Sequence, residues 1–259
     1  MITAVNISYN IGHKNILNTI SLQFLPGICN LIIGPNGSGK STLIKLLSGA
    51  LENYKGEVTY DGEVNLKTFD KQALAASRAV LSQQTELSFP MLVEEVVLLG
   101  RNPHFEFNPG KKDIDIVHEV MALLDLHSFA KRNYQTLSGG EKQRVHYARV
   151  LAQIWEQPKG VHRYLFLDEP LNNLDIYYQQ LFLSIAVSLL NENTTLIGVV
   201  HDINIALSYA DQLYFLKEGA LIKNGVPEKI VDAILLKSVF NIDTQIMAHP
   251  STGKPIIIL

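Results

Sequence analysis

Gly34-Pro35-Asn36-Gly37-Ser38-Gly39-Lys40-Ser41 follows the spacing G-x-x-x-x-G-K-[ST]. It stands after an apolar run, Leu31-Ile32-Ile33, and before a helical one that begins at Thr42. In such a loop the glycines let backbone N–H groups curl around phosphate oxygens, and Lys40 supplies a cation to the β and γ oxygens. Ser41 offers Mg²⁺ a hydroxyl ligand, and the helix N-terminus adds the positive end of its dipole. Residues Gly34 to Thr42 are therefore expected to bind the phosphates of a nucleotide.

A second group is Tyr164-Leu165-Phe166-Leu167-Asp168-Glu169, an apolar run that ends in two carboxylates. On a strand, adjacent side chains diverge, so the two can take different tasks. Asp168 is expected to hold the Mg²⁺ shell, and Glu169 to polarise an attacking water as general base. A third is Ser138-Gly139-Gly140-Glu141, a serine and two glycines that open a helical run and so form an anion-binding helix terminus.

The elements that must position these groups read as α/β. Cys29–Ile33, Tyr164–Leu167 and Thr195–Val200 are nearly all apolar, as strands covered on both faces are. Each runs into a polar cluster, which is where an open, mostly parallel sheet places its ligand site. The stretch to about Pro26 alternates polar and apolar residues, and Gly56–Gly62 reads as a hairpin strand and turn, so an N-terminal antiparallel β layer is expected. Val93–Leu99, Ile114–Leu124 and Glu141–Leu151 repeat apolar residues at helical spacing without an intervening strong strand. They predict an inserted helical subdomain over 85–152, with 1–84 and 153–259 forming the core. After Asp211 the pattern gives two short strands, a helix near Pro227–Ile234 and a β-like tail.

The chain has 259 residues, of which 47% are hydrophobic, with 22 basic and 25 acidic residues. Mean hydropathy is +0.11. That composition excludes a disordered chain and a small disulfide-stapled scaffold. The single cysteine, Cys29, excludes an intramolecular disulfide and reads as a core residue. A near-neutral balance gives no general attraction to nucleic acid or anionic lipid. The longest nearly uncharged run, Leu181–Leu190, is too short to span a bilayer, so membrane contact is expected only through a partner. The eight histidines are scattered, and nothing pairs two of them across a defined apolar pocket.

Leu137-Ser138-Gly139-Gly140-Glu141, followed by Gln143-Arg144, resembles the signature motif of the ATP-binding cassette family, and the likeness extends over essentially the whole chain. The resemblance implies a P-loop ATPase that binds ATP and Mg²⁺ and works as a head-to-tail homodimer. In such a dimer Ser138, Gly139, Gly140 and Glu141 close on ATP held by the other copy. By the same resemblance Tyr9 stacks on adenine, and Gln83 joins core to helical lobe and touches Mg²⁺ and water, with Gln84 as the alternative register. Asp175 crosses the dimer interface and His201 contacts the γ-phosphate. Where the family usually has Thr-Ser-Ala-Leu-Asp, this chain has Leu171-Asn172-Asn173-Leu174-Asp175. Residues 78–81, 87–90, 145–155 and the tail 249–255 resemble the ATPase subunits of bacterial haem importers. That implies a dimeric transmembrane permease and, indirectly, a periplasmic haem-binding protein as partners, no nucleic acid, and a place on the cytoplasmic face of the inner membrane. Cobalamin and ferric-siderophore importers share the pattern, and a cassette ATPase that acts as a mechanical switch is the reading from another class.

Overall fold

The computed structural model describes residues 1–82, 87, 89–156 and 160–258. Gln83 and Gln84 lie outside them. The chain forms two compact units, 1–69 with 187–259, and 70–186.

Along the chain, β1 (Ile2–Ile11), β2 (Lys14–Phe24) and β3 (Cys29–Ile33) precede α1 (Lys40–Leu47), β4 (Lys55–Tyr60) and β5 (Val64–Asn65). Next come α2 (Lys71–Ser77), β6 (Arg78–Leu81), α3 (Val93–Leu98), α4 (Lys111–Leu123), α5 (Gly139–Ile154), β7 (Arg163–Asp168) and α6 (Ile176–Ser188). The remainder is β8 (Thr194–Val199), α7 (Ile203–Tyr209), β9 (Gln212–Lys217), β10 (Ala220–Gly225), α8 (Pro227–Ile230), α9 (Ala233–Phe240), β11 (Gln245–Ala248) and β12 (Pro255–Ile258).

In the first unit β2, β1, β4 and β5 make an antiparallel sheet, the expected N-terminal layer. Beside it β3 runs parallel to both β8 and β9, while β10 turns back on β9. Every residue of β3 and β8 is buried, which explains why both are mostly apolar rather than alternating. The one polar side chain in β3, Asn30, is satisfied inside. Its Nδ2 donates to the carbonyls of Leu25, Ile28 and Leu196, and its Oδ1 accepts from the Tyr214 hydroxyl. Cys29 is buried, and burial pushes its thiol up to about 12, so it is an inert core residue as expected.

In the second unit β6 and β7 pair in parallel, and every element described between 91 and 154 is helical. The long helix α5 supplies the core: Tyr147 stacks on Phe182 at 4.0 Å and donates to the Phe182 carbonyl at 2.7 Å. Arg101, 2% exposed, is held by Asp113, Glu156 and the Ala152 carbonyl.

Four elements differ from the sequence expectation, each for a local reason. The helix near Pro227–Ile234 is two helices, because Asp232 caps a new one by accepting from the Leu235 amide at 2.7 Å. Helix α4 begins at Lys111 rather than Ile114, because Asp113 folds back to accept the Gly110 amide at 2.9 Å. Helix α2 and strand β6 were not anticipated; α2 starts at an Asp70 cap that accepts from Ala73, and β6 is too short for periodicity to show.

Candidate active site

The first unit carries the phosphate loop. Strand β3 ends at Ile33 and α1 starts at Lys40, with Gly39 as its N-cap in the left-handed region (φ +98°). Neighbouring strands are aligned so that Ile32 lies opposite Val199, and Gly34 and His201 therefore emerge at the same end of β3 and β8. The loop has no slack. A Cβ on Gly34 would stand 2.0 Å from the Leu216 carbonyl oxygen, and the Gly219 amide donates to the Ser38 carbonyl at 3.1 Å. Gly219 is itself fixed, since its carbonyl accepts from the Asn18 amide at 2.7 Å. The turn between β9 and β10 thus buttresses the loop from behind, a support that sequence reading did not identify. The Glu218-Gly219 pair, both at positive φ, was its only signal.

Within the loop Lys40 is 5% exposed, and its Nζ donates to the carbonyls of Gly34 at 2.8 Å and Pro35 at 3.0 Å. Ser38 Oγ is buried without a hydrogen-bond partner. A buried hydroxyl of this kind carries a desolvation cost that a phosphate oxygen would offset. Pro35, Asn36 and Gly37 form the more open rim, and Ser41 and Thr42 stand half-buried on the first turn of α1. Tyr9, half-buried on β1, lies opposite Leu17. His201 is exposed and is followed by Asp202, whose carboxylate accepts the amides of Asn204 and Ile205 and starts α7.

The second unit carries the carboxylates and the signature segment. All of β7 is buried; Asp168 is 2% and Glu169 8% exposed. Glu169 sits at φ +53°, a conformation that costs a non-glycine residue about 1–2 kcal/mol. The chain then turns over 169–172, and the Asn172 amide group donates to Glu169 Oε2 at 2.8 Å.

Ser138 caps α5 reciprocally: its Oγ accepts from the Glu141 amide, and Glu141 Oε2 accepts from the Ser138 amide at 2.6 Å. The Ser138 amide foremost, and then the Ser138 hydroxyl, hold the Glu141 carboxyl below the usual carboxylate range. A Cβ on Gly140 would lie 3.0 Å from the Asn173 carbonyl oxygen, so the signature glycine is packed against the turn that follows Glu169. Gln143 Nε2 donates to the Pro170 carbonyl at 3.0 Å and fastens the same contact. Asp175 caps α6 by accepting the Tyr178 amide. The sequence marked the Leu171-Asn172-Asn173 departure but gave Asn172 no role.

Among the described residues no cluster of three or more His, Cys, Asp and Glu side chains could hold a metal ion. The residues expected at Mg²⁺, the Ser41 hydroxyl and the Asp168 carboxylate, are hard oxygen donors. Each, taken by itself, is a donor of the kind Mg²⁺ binds alongside substrate phosphates.

Residues 17–172 match the model of the family described as ABC transporter. The chain is 41% identical over its whole length to a "Hemin import ATP-binding protein HmuV" of Gloeobacter violaceus, covering 94% of that protein. It is 36% identical to a protein of the same name from Escherichia coli O157:H7, covering all of this chain and 99% of that one. Among solved structures, a metal-chelate type ABC transporter in an inward-facing conformation is similar in fold (TM-score 0.79, 24% identity, 99% of this chain and 96% of that one). A dimeric ATP-binding cassette bound to ADP and Pi gives a TM-score of 0.74 at 25% identity over 87% of this chain and 98% of that one. A buttressed phosphate loop, two carboxylates at the end of a buried strand and a capped helix thus stand in a chain that matches its relatives end to end, and it belongs to the ABC transporter family, as one of its ATP-hydrolysing cassettes.

Proposed function

We propose that this cassette energises haem uptake as the ATPase subunit of an importer, on the cytoplasmic face of the inner membrane. The observation that carries the reading is the whole-length identity of 36–41% to proteins named for hemin import. No helix among the described residues is long and apolar enough to cross a membrane, which accords with transport through a separate permease dimer.

In this reading Gly34 to Thr42 cradle the ATP phosphates, with Tyr9 against the adenine. Mg²⁺, held by Ser41 and Asp168 with Gln83, would neutralise charge on the phosphates. Glu169 accepts the proton of the attacking water and His201 faces the γ-phosphate. Two copies associate head to tail, so that Ser138, Gly139, Gly140 and Glu141 of one close on the nucleotide of the other, and Asp175 lies at their interface. The 85–152 segment is the helical subdomain that engages the permease. Binding of ATP draws the cassettes together and hydrolysis releases them.

The test is reconstitution of this ATPase with haem, cobalamin and ferric-siderophore permeases, each with its loaded binding protein. Stimulation of ATP hydrolysis in the haem system alone is expected. A response confined to either other system overturns the cargo while leaving the cassette assignment intact.

A further inference from the structure

We infer that Asn172 is a positioning residue for ATP hydrolysis, holding the Glu169 carboxylate from within the turn that follows it. The inference rests on the assignment of Glu169 as general base. Glu169 leaves β7 in a left-handed conformation, so its side chain does not continue the strand's alternation, and its direction must be set by what it bonds. Asn172 Nδ2 reaches Glu169 Oε2 at 2.8 Å across a turn whose backbone also closes, the Asn172 amide donating to the Glu169 carbonyl at 3.5 Å. A serine at 172, the residue the family usually carries there, has a shorter side chain and no amide to span that distance. The departure at this position therefore changes how the base is held.

The turn has a second anchor. Asn173, also at positive φ, presents its carbonyl to Gly140 at the head of α5, and Pro170 accepts from Gln143 on the same helix. Asn172 thus lies between a fixed backbone and a carboxylate, as a positioning group must. Displacing a reacting group by about 1 Å can cost a hundredfold in rate.

The experiment measures steady-state hydrolysis, ATP affinity and ATP-driven dimerisation for the full chain carrying Asn172→Ala, Asn172→Asp, Glu169→Gln and the double changes. Asn172→Ala should lower kcat about tenfold to a hundredfold with KM for ATP within about twofold. Asn172→Asp, which keeps the shape but removes the donor, should lose at least as much and serves if the alanine variant does not fold. In the Glu169→Gln background, Asn172→Ala should change the residual rate and the ATP-bound dimer by less than about threefold, because the base it positions is gone. Equal losses in both backgrounds, or wild-type kcat in Asn172→Ala, overturn the inference. Full activity in Glu169→Gln instead overturns the assignment of the base.

Discussion

The Lys40 ammonium donates to the Gly34 carbonyl at 2.8 Å, tying the last cationic residue of the phosphate loop to its first glycine. The cation is therefore kept inside the cradle by the backbone that shapes it, at 5% exposure. Replacing it with alanine removes a charged donor worth about 1.5–3 kcal/mol, so ATP affinity should fall about 10- to 100-fold. Titration of the monomeric chain with nucleotide measures this. Affinity within twofold of wild type would contradict the role.

Glu169→Gln keeps the size of the side chain and its bond from Asn172 but cannot take a proton. Turnover should drop by about 100- to 10,000-fold while ATP still binds, and an ATP-bound dimer should accumulate on size-exclusion chromatography. Undiminished turnover by the purified protein refutes it.

Mixed dimers separate the two halves of each composite site. In the proposed head-to-tail dimer Lys40→Ala should damage the site on its own chain, whereas Ser138→Arg, at the exposed cap of α5, should damage the site of the other copy. With both changes on one chain, each site of the mixed dimer holds one defect. With one change on each chain, a single site carries both defects and the other is intact. Nucleotide occlusion should follow that pattern, and indifference to the partner chain would exclude the head-to-tail arrangement.

Acid stability should depend on Asp113. Burial raises its pKa, but the Arg101 side chain and the Gly110 amide outweigh that and leave the carboxyl below its usual range. A depressed folded-state pKa contributes stability that is complete above the ordinary carboxylate range and is lost as pH falls toward the folded value. Asp113→Asn should lower Tm at pH 7 by several degrees, at about 1–3 kcal/mol and about 2–4 °C per kcal/mol. The gap should narrow below about pH 4. A gap unchanged between pH 7 and pH 3, read by thermal denaturation, counts against the ion pair.

Much of this was legible in the residues. Strand β3 matched its reading residue for residue, and β7 and β8 were displaced by at most one residue at either end, because strands covered on both faces are written as nearly all apolar runs. The phosphate loop and the acidic pair carry fixed spacing and could be read directly. The buttress behind the loop could not, since Asn18, Leu216 and Gly219 come from distant segments and act largely through backbone groups that no side-chain pattern records. Asn172 escaped for another reason: a departure from a family motif shows that something changed, while the bond to Glu169 appears only once the turn is folded. Helix α2 is a plainer omission, since Asp70 followed by Lys71-Gln72-Ala73-Leu74-Ala75-Ala76 is a cap and a run of helix formers.

The contact between Gly140 and Asn173 has a genetic consequence. In the proposed head-to-tail dimer a phosphate-loop lesion such as Lys40→Ala would spoil only the nucleotide its own chain holds, so a heterodimer with a healthy copy would keep one working site. A lesion in the 169–173 turn would disturb both the proposed base for the chain's own nucleotide and the seat of the helix that this dimer offers to its neighbour's. Co-expressed with the normal gene, such an allele should poison every mixed pair and behave as a dominant inhibitor of uptake, while the loop allele behaves more nearly as a recessive one.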